Sequence, residues 1–296
     1  MFYIWIAVVA YLLFALNGVV DKFLLTKAVR HPVAYAFYIG ITGPLTFVLA
    51  PFGLKLVSFS DLFIAIIAGA CFVWALYFLY VATQATSISR LLPIEGGFVP
   101  FFTLVFAYIV LGERLTSSQF VAFIFLVTGA VLIAFRKDAG HWHPKALGYA
   151  VIAAALFALS FVLTKYIFNQ TNFVSGLIWT RLGFFAVSLS FLIPSSSRRH
   201  IADATKEATP GNKILYYGAR LSGGLAGLMQ NYAISLGSVI IVNALQGVQY
   251  AFLLLLTIFF SEYYPNILKE RITKLILAQK ILAIVLISLG LYFLTQ

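Results

Sequence analysis

The chain has 296 residues, 62% hydrophobic and only 10% charged, against roughly 45–50% and 25% in soluble domains, which excludes an ordinary soluble enzyme. At about 20 residues per membrane crossing, ten crossings use about 200 residues, leaving about ten per connection and no separate soluble domain. The net charge of +11 falls mostly in loops, where it sets membrane orientation and meets anionic lipid rather than nucleic acid.

Ten apolar runs follow one another along the chain, at 3–21, 32–51, 61–83, 90–111, 118–135, 146–168, 174–194, 214–235, 239–261 and 275–295. Each is predicted to be a helix, because backbone polar groups in hydrocarbon must be satisfied within the segment. Runs such as Ala122 to Phe135 do not alternate as barrel strands would. The first run is kept as a membrane helix, since Met1-Phe2-Tyr3-Ile4-Trp5 lacks a signal peptide's basic region and cleavage site. Cys71 is the single cysteine, so an internal disulfide is excluded.

The runs repeat. Ala154–Phe168 overlays Tyr11–Leu25 without a gap, with identities at Leu13/Leu156, Phe14/Phe157, Ala15/Ala158, Leu16/Leu159, Val19/Val162 and Lys22/Lys165. Glu113-Arg114-Leu115-Thr116 is echoed by Glu270-Arg271-Ile272-Thr273, and Gln119 and Gly129 are followed by Gln279 and Gly290 after a small insertion. The order of these matches divides the chain into five-helix repeats at 1–138 and 145–296. An odd number of helices per repeat places the halves in opposite orientations. Loops after the odd-numbered runs carry fourteen Lys and Arg, including Arg30, Arg136, Lys137, Arg198 and Arg199, whereas the other loops carry only Lys55 and Arg114. The positive-inside rule then puts both termini outside. Inverted repeats of this kind recur in transporters, with the binding site near the midplane.

Gly112-Glu113-Arg114-Leu115 closes the fourth run and Gly129-Ala130-Val131-Leu132-Ile133 ends the fifth. With the ten-helix doubling, these resemble the drug/metabolite transporter superfamily in its EamA-like branch, over essentially the whole chain. The resemblance implies an all-α polytopic protein of two inverted five-helix bundles around a central cavity, exporting amino acids or other small metabolites. Two features depart from the pattern. Familiar amino-acid exporters of the branch have cytoplasmic termini, and the second Gly-Glu corner is here lengthened into Ser261–Lys274, predicted to hold a short interfacial helix.

Among candidate site residues, Glu95 in Leu91-Leu92-Pro93-Ile94-Glu95-Gly96-Gly97 is the most informative. A charge deep in a membrane costs about 2.5–3.5 kcal/mol on insertion scales and normally faces a cavity or a partner. Glu95 is therefore either a cation or proton site or a structural acid paired with Arg90. Arg181, in Trp179-Thr180-Arg181-Leu182-Gly183, is either an anion ligand with Trp179 as a stacking surface or a packing residue. Asn243, Gln246 and Gln249 share one broad helical face, with Gln246 in register with Glu95 when Gly96 and Gly247 are matched. They are expected to point inward, either to solute or to neighbouring helices. Asn17 and Ser160 occupy equivalent places in the first and sixth runs, and Tyr77, Tyr80, Gln230 and Asn231 add polar groups of undetermined orientation. The Glu113-Arg114 and Glu270-Arg271 dipeptides read as corner-stabilising pairs. His141-Trp142-His143 reads as a solvated linker, since two histidines without further ligands make a poor metal site.

The expected function is secondary transport of a small polar solute in the cell membrane by alternating access, with protons as the candidate coupling ion. No phosphate-binding G-x-x-x-x-G-K-[ST] loop occurs, so ATP is not the expected energy source. No enzyme, cofactor or metal is expected, and the partners are a solute and membrane lipid, with no nucleic acid. The alternative is a non-transporting sensor or a lipid scramblase on the same scaffold.

Overall fold

The computed structural model describes residues 1–24, 31–86, 88–135, 144–207, 213–261 and 274–295. These form α1 (Phe2–Leu24), α2 (Pro32–Ile41), a 3₁₀ segment (Gly43–Phe52), α3 (Phe59–Ala85), α4 (Ile88–Leu111), α5 (Ser117–Ala134) and α6 (Pro144–Gln170). They continue as α7 (Phe173–Ser190), α8 (Ser195–Glu207), α9 (Lys213–Leu236), α10 (Val239–Ala244), α11 (Gln246–Ser261) and α12 (Lys274–Thr295). Local sequence starts several of them. Ser58, Thr116, Asn172 and Ser238 each accept a backbone N–H three residues on, a cap worth about 1 kcal/mol. Thr116 and Gln119 close a full capping box.

Among the described residues, nine stretches are long and apolar enough to cross a membrane. The chain is thus an all-α, multi-span membrane protein. The eighth predicted run forms α9, 24 residues long, which is not among the nine. Gly223, Gly224, Gln230 and Asn231 make it less apolar, and it lies along α1.

Three features differ from the sequence reading. The second half of the 32–51 run is 3₁₀ rather than α-helical; Pro44 and Pro51 supply no N–H to a ladder, and Gly43 lies directly on the Arg181 carbonyl. The cationic loop after α7 contains α8, whose Ile201 is buried against α2, where Tyr38 Oη donates to its carbonyl at 3.2 Å. The 239–261 run divides at Leu245, whose carbonyl accepts from Val248 N at 2.9 Å. The predicted helix in 261–274, the Glu270-Arg271 corner and His141-Trp142-His143 include or lie among residues outside the described set.

Tertiary packing surrounds α6 with α3 and α4, α1 with α9 and α11, and pairs α5 with α12. Glycines set the closest approaches. Gly96 of α4 and Gly247 of α11 both face Ala130 of α5, and a Cβ at Gly247 would lie 2.9 Å from the Leu126 carbonyl. The main core cluster runs through Tyr11, Leu126, Ile234, Ile241, Leu245 and Ile287. Trp5, Phe63, Ile109 and Leu282 remain exposed on outer faces, as hydrocarbon contact permits.

Candidate functional site

Of the charges inside apolar helices, Glu95 and Arg181 make no ion pair among the described residues. Arg181 is on α7, which is held from two sides by close backbone approaches. Gly69 of α3 faces the Thr180 carbonyl, Gly183 faces the Ile66 carbonyl, and Gly43 faces the Arg181 carbonyl. The guanidinium carbon lies 4.1 Å from the ring centre of Phe184, one turn on, and 5.9 Å from that of Phe72 on α3. These two rings are themselves stacked at 4.7 Å and 17°. Ring faces stabilise a cation without neutralising it. Arg181 lies in a cleft whose apolar part is Phe72, Phe161 and Phe184 and whose polar part is Ser160 and Thr164 of α6, Thr180 of α7 and Asn231 of α9.

Trp179 is a correction. It is not the stacking surface of Arg181: its indole Nε1 donates to the Lys55 carbonyl at 3.0 Å, fastening the connection before α3. Two residues on a helix point about 200° apart, so Trp179 and Arg181 cannot face the same space. Phe184, at i+3, takes the place beside Arg181.

Glu95 is partly buried on α4. Pro93 and Pro100 deny ladder hydrogen bonds to the carbonyls four residues before them, Ser89 and Gly96. Tyr250 of α11 lies within electrostatic reach of Glu95, and its hydroxyl donates to the Leu92 carbonyl at 3.3 Å while accepting from Gln246 Nε2 at 3.1 Å. Gln246 therefore reaches the Glu95 neighbourhood through Tyr250. The Arg90 side chain, the alternative partner of Glu95, lies outside the described set.

The other predicted positions separate. Asn243, 1% exposed, donates to Thr103 Oγ1 at 3.1 Å. It joins α10 to α4 rather than lining open space, because its amide is spent in a closed core. Gln249 is partly buried and makes no hydrogen bond among the described residues. Asn17 lies against Gly223 at the α1–α9 contact. Tyr77 is in an aromatic group with Trp74 at 5.5 Å and Phe191 at 6.0 Å, in the same apolar cluster as Phe72 and Phe184. Gln230 Nε2 donates to Tyr11 Oη at 3.2 Å, and that hydroxyl donates to the Val242 carbonyl at 2.8 Å. Of the residues singled out from sequence, Ser160 and Asn231 join Arg181 in its cleft. Phe72, Phe184, Thr164, Tyr250 and Thr103 were not singled out from sequence; the i, i+4 pair Ser160/Thr164 and the i, i+3 pair Arg181/Phe184 were the available signals.

The corner after α4 turns on Gly112, whose φ of 64° suits glycine. Glu113 and Arg114 do not pair. Arg114 lies 5.7 Å from the Tyr108 ring centre, while Glu113 lies beside Ser238 and the Val239 and Ile240 amides at the start of α10, with Lys165 nearby. Burial raises its carboxyl above the ordinary carboxylate range, against the opposing pull of those groups. Lys165 Nζ donates to the Ser235 carbonyl at 3.1 Å. Among the described residues no cluster of three or more His, Cys, Asp or Glu could hold a metal ion.

No protein-family model matches the chain, and no curated protein matches it. Among solved structures it is similar to one described only as "Crystal structure of protein", at 16% identity and a TM-score of 0.63 over 98% of this chain and 94% of that one. At that identity the likeness shows a shared fold.

Proposed function

We propose that the chain is a secondary transporter of a small polar metabolite, an EamA-like member of the drug/metabolite transporter superfamily. In this reading it has ten membrane helices in two inverted five-helix repeats, both termini outside, and works by alternating access. The observation that carries it is the pair of oppositely charged side chains, Glu95 and Arg181, kept without ion-pair partners among the described residues of membrane-spanning helices. Uncompensated intramembrane charges are costly and mark solute or ion paths.

The packing supports the repeat. Exchange of the two halves turns the α1–α9 contact into α6–α3, and α1–α11 into α6–α4, and all four are present. The α5–α12 contact maps onto itself, and Gly96 and Gly247 meet the same alanine. The exchange is incomplete, since α7 lies along α3 but among the described residues α2 has no comparable packing on α9. A transporter closed on one side has this asymmetry, and rocking exchanges the two arrangements. Glu95 serves as the proton or cation site, with Tyr250 and Gln246 beside it.

Counterflow in proteoliposomes tests this, with pooled labelled amino acids and with or without a pH step. Uptake above that of empty liposomes is expected, with a response to pH. Folded protein that moves none of the pool removes the amino-acid assignment. Failure with a broader metabolite pool leaves the sensor or scramblase reading.

A further inference from the structure

The cleft beside Arg181 is unbalanced in its hydrogen bonding. A guanidinium carries five N–H donors and no acceptor, and Arg181 makes no hydrogen bond among the described residues. Ser160 and Thr164, 3% and 5% exposed, present hydroxyls to the same space and likewise have no hydrogen-bond partner among the described residues. The remaining polar groups are partly engaged, and Asn231 keeps its Oδ1 acceptor. Thr180 Oγ1 donates to the Gly176 and Leu177 carbonyls, and Asn231 Nδ2 donates to the Gly227 carbonyl. The N–H donors of Arg181 are thus unused, in a place where, among the described residues that line it, no carboxylate balances the charge.

The geometry assigns this cleft, between α3, α6, α7 and α9, as the subsite for a carboxylate group of the transported solute. Phe184 and Phe72 cover the guanidinium, so its uncovered edge is the direction left for bonding. That edge is a planar fork whose N–H groups can converge on one carboxylate oxygen. The free space is about that of one water, which admits a single oxygen of the head group beside the fork. One cation with two neutral donors calls for a monoanion. The two hydroxyls stand one helical turn apart on α6 and bond the same head group from the side. This deepens the transporter reading and rests on it for the solute, but not for the binding of the anion.

The test is thermal unfolding of the purified full chain at constant ionic strength in sodium methanesulfonate, titrated with sodium acetate or with sodium chloride. A ligand that binds only the folded state raises the midpoint saturably. Acetate is expected to raise it in the wild type and not in Arg181→Gln. The Ser160→Ala/Thr164→Val variant should need about tenfold more acetate for the same shift, as hydrogen bonds to a charged group imply. Trp179→Phe should respond as the wild type does. The assignment is overturned if acetate has no saturable effect, if Arg181→Gln responds equally, or if chloride alone gives the response, which would mark a small inorganic-anion site. If Arg181→Gln fails to fold, the hydroxyl double variant decides. Counterflow separates the two readings. An Arg181-dependent acetate response in protein that transports nothing keeps the subsite and removes the transporter. Transport that Arg181→Gln leaves unchanged, with acetate inert, removes the subsite alone.

Discussion

Arg181 and Glu95 are each a lone charge in an apolar helix, yet one is held in rigid surroundings and the other in yielding ones. Around Arg181, α7 touches its neighbours backbone to backbone through Gly43, Gly69 and Gly183. Around Glu95, α4 contains Pro93, Gly96, Gly97 and Pro100, and a Cβ at Gly96 would first meet a side chain, Cε2 of Tyr250, at 2.8 Å. The difference matches the work proposed for each. A fork that recognises a planar head group must be fixed to within fractions of an ångström. A carboxylate that takes up and releases a proton needs neighbours that can move.

The largest effect should come from breaking the rigid side. Gly183→Ala drives a methyl into the Ile66 carbonyl, where neither backbone can retreat. We expect a loss at or above the upper end of the roughly 1–3 kcal/mol typical of overpacking, read as lost expression of monodisperse protein. Gly96→Ala should cost about 1 kcal/mol, because the Tyr250 ring can turn aside. Equal damage from the two substitutions would refute the contrast.

Glu95→Gln should leave the protein folded while removing the pH dependence of flux. Full pH-dependent counterflow in this variant would make Glu95 structural. A smaller effect belongs to Glu113, whose carboxyl is raised chiefly by burial at the α4–α5 corner. A carboxyl with a raised folded-state pKa binds its proton more tightly when folded. Its contribution is therefore greatest below the unfolded value of about 4.3 and is lost as pH rises through the folded value. Relative to Glu113→Gln, the wild type should gain thermal stability as pH falls from about 7 to about 5. Unchanged relative midpoints would show that the α10 amides and Lys165 already offset burial.

The smallest effect is Trp179→Phe, which loses the bond to the Lys55 carbonyl and should cost about 1 kcal/mol without altering acetate binding or flux. Weakened acetate binding would return Trp179 to the Arg181 site.

Glu95 and Arg181 were visible in the sequence because a charge within an apolar run is conspicuous on its own. Their partners were not. Phe72 reaches Arg181 from another helix, and Tyr250 bonds the Leu92 carbonyl on the helix of Glu95, and one phenyl or phenol among many in an aromatic-rich chain carries no distinguishing mark. Asn243 was expected with Gln246 on a polar face, but its bond to Thr103 depends on how α10 meets α4.

Composition and the spacing of apolar runs by themselves determined that this is a multi-span helical membrane protein, because hydrocarbon leaves the backbone few ways to satisfy its hydrogen bonds. The helix starts at Ser58, Thr116, Asn172 and Ser238 follow from the same local chemistry. Tertiary structure decided which side chain meets which charge, that Trp179 turns away from Arg181, and where the 239–261 run divides. Those outcomes depend on rotations about helix axes and on glycine-mediated approaches between helices distant in sequence, which no local pattern fixes.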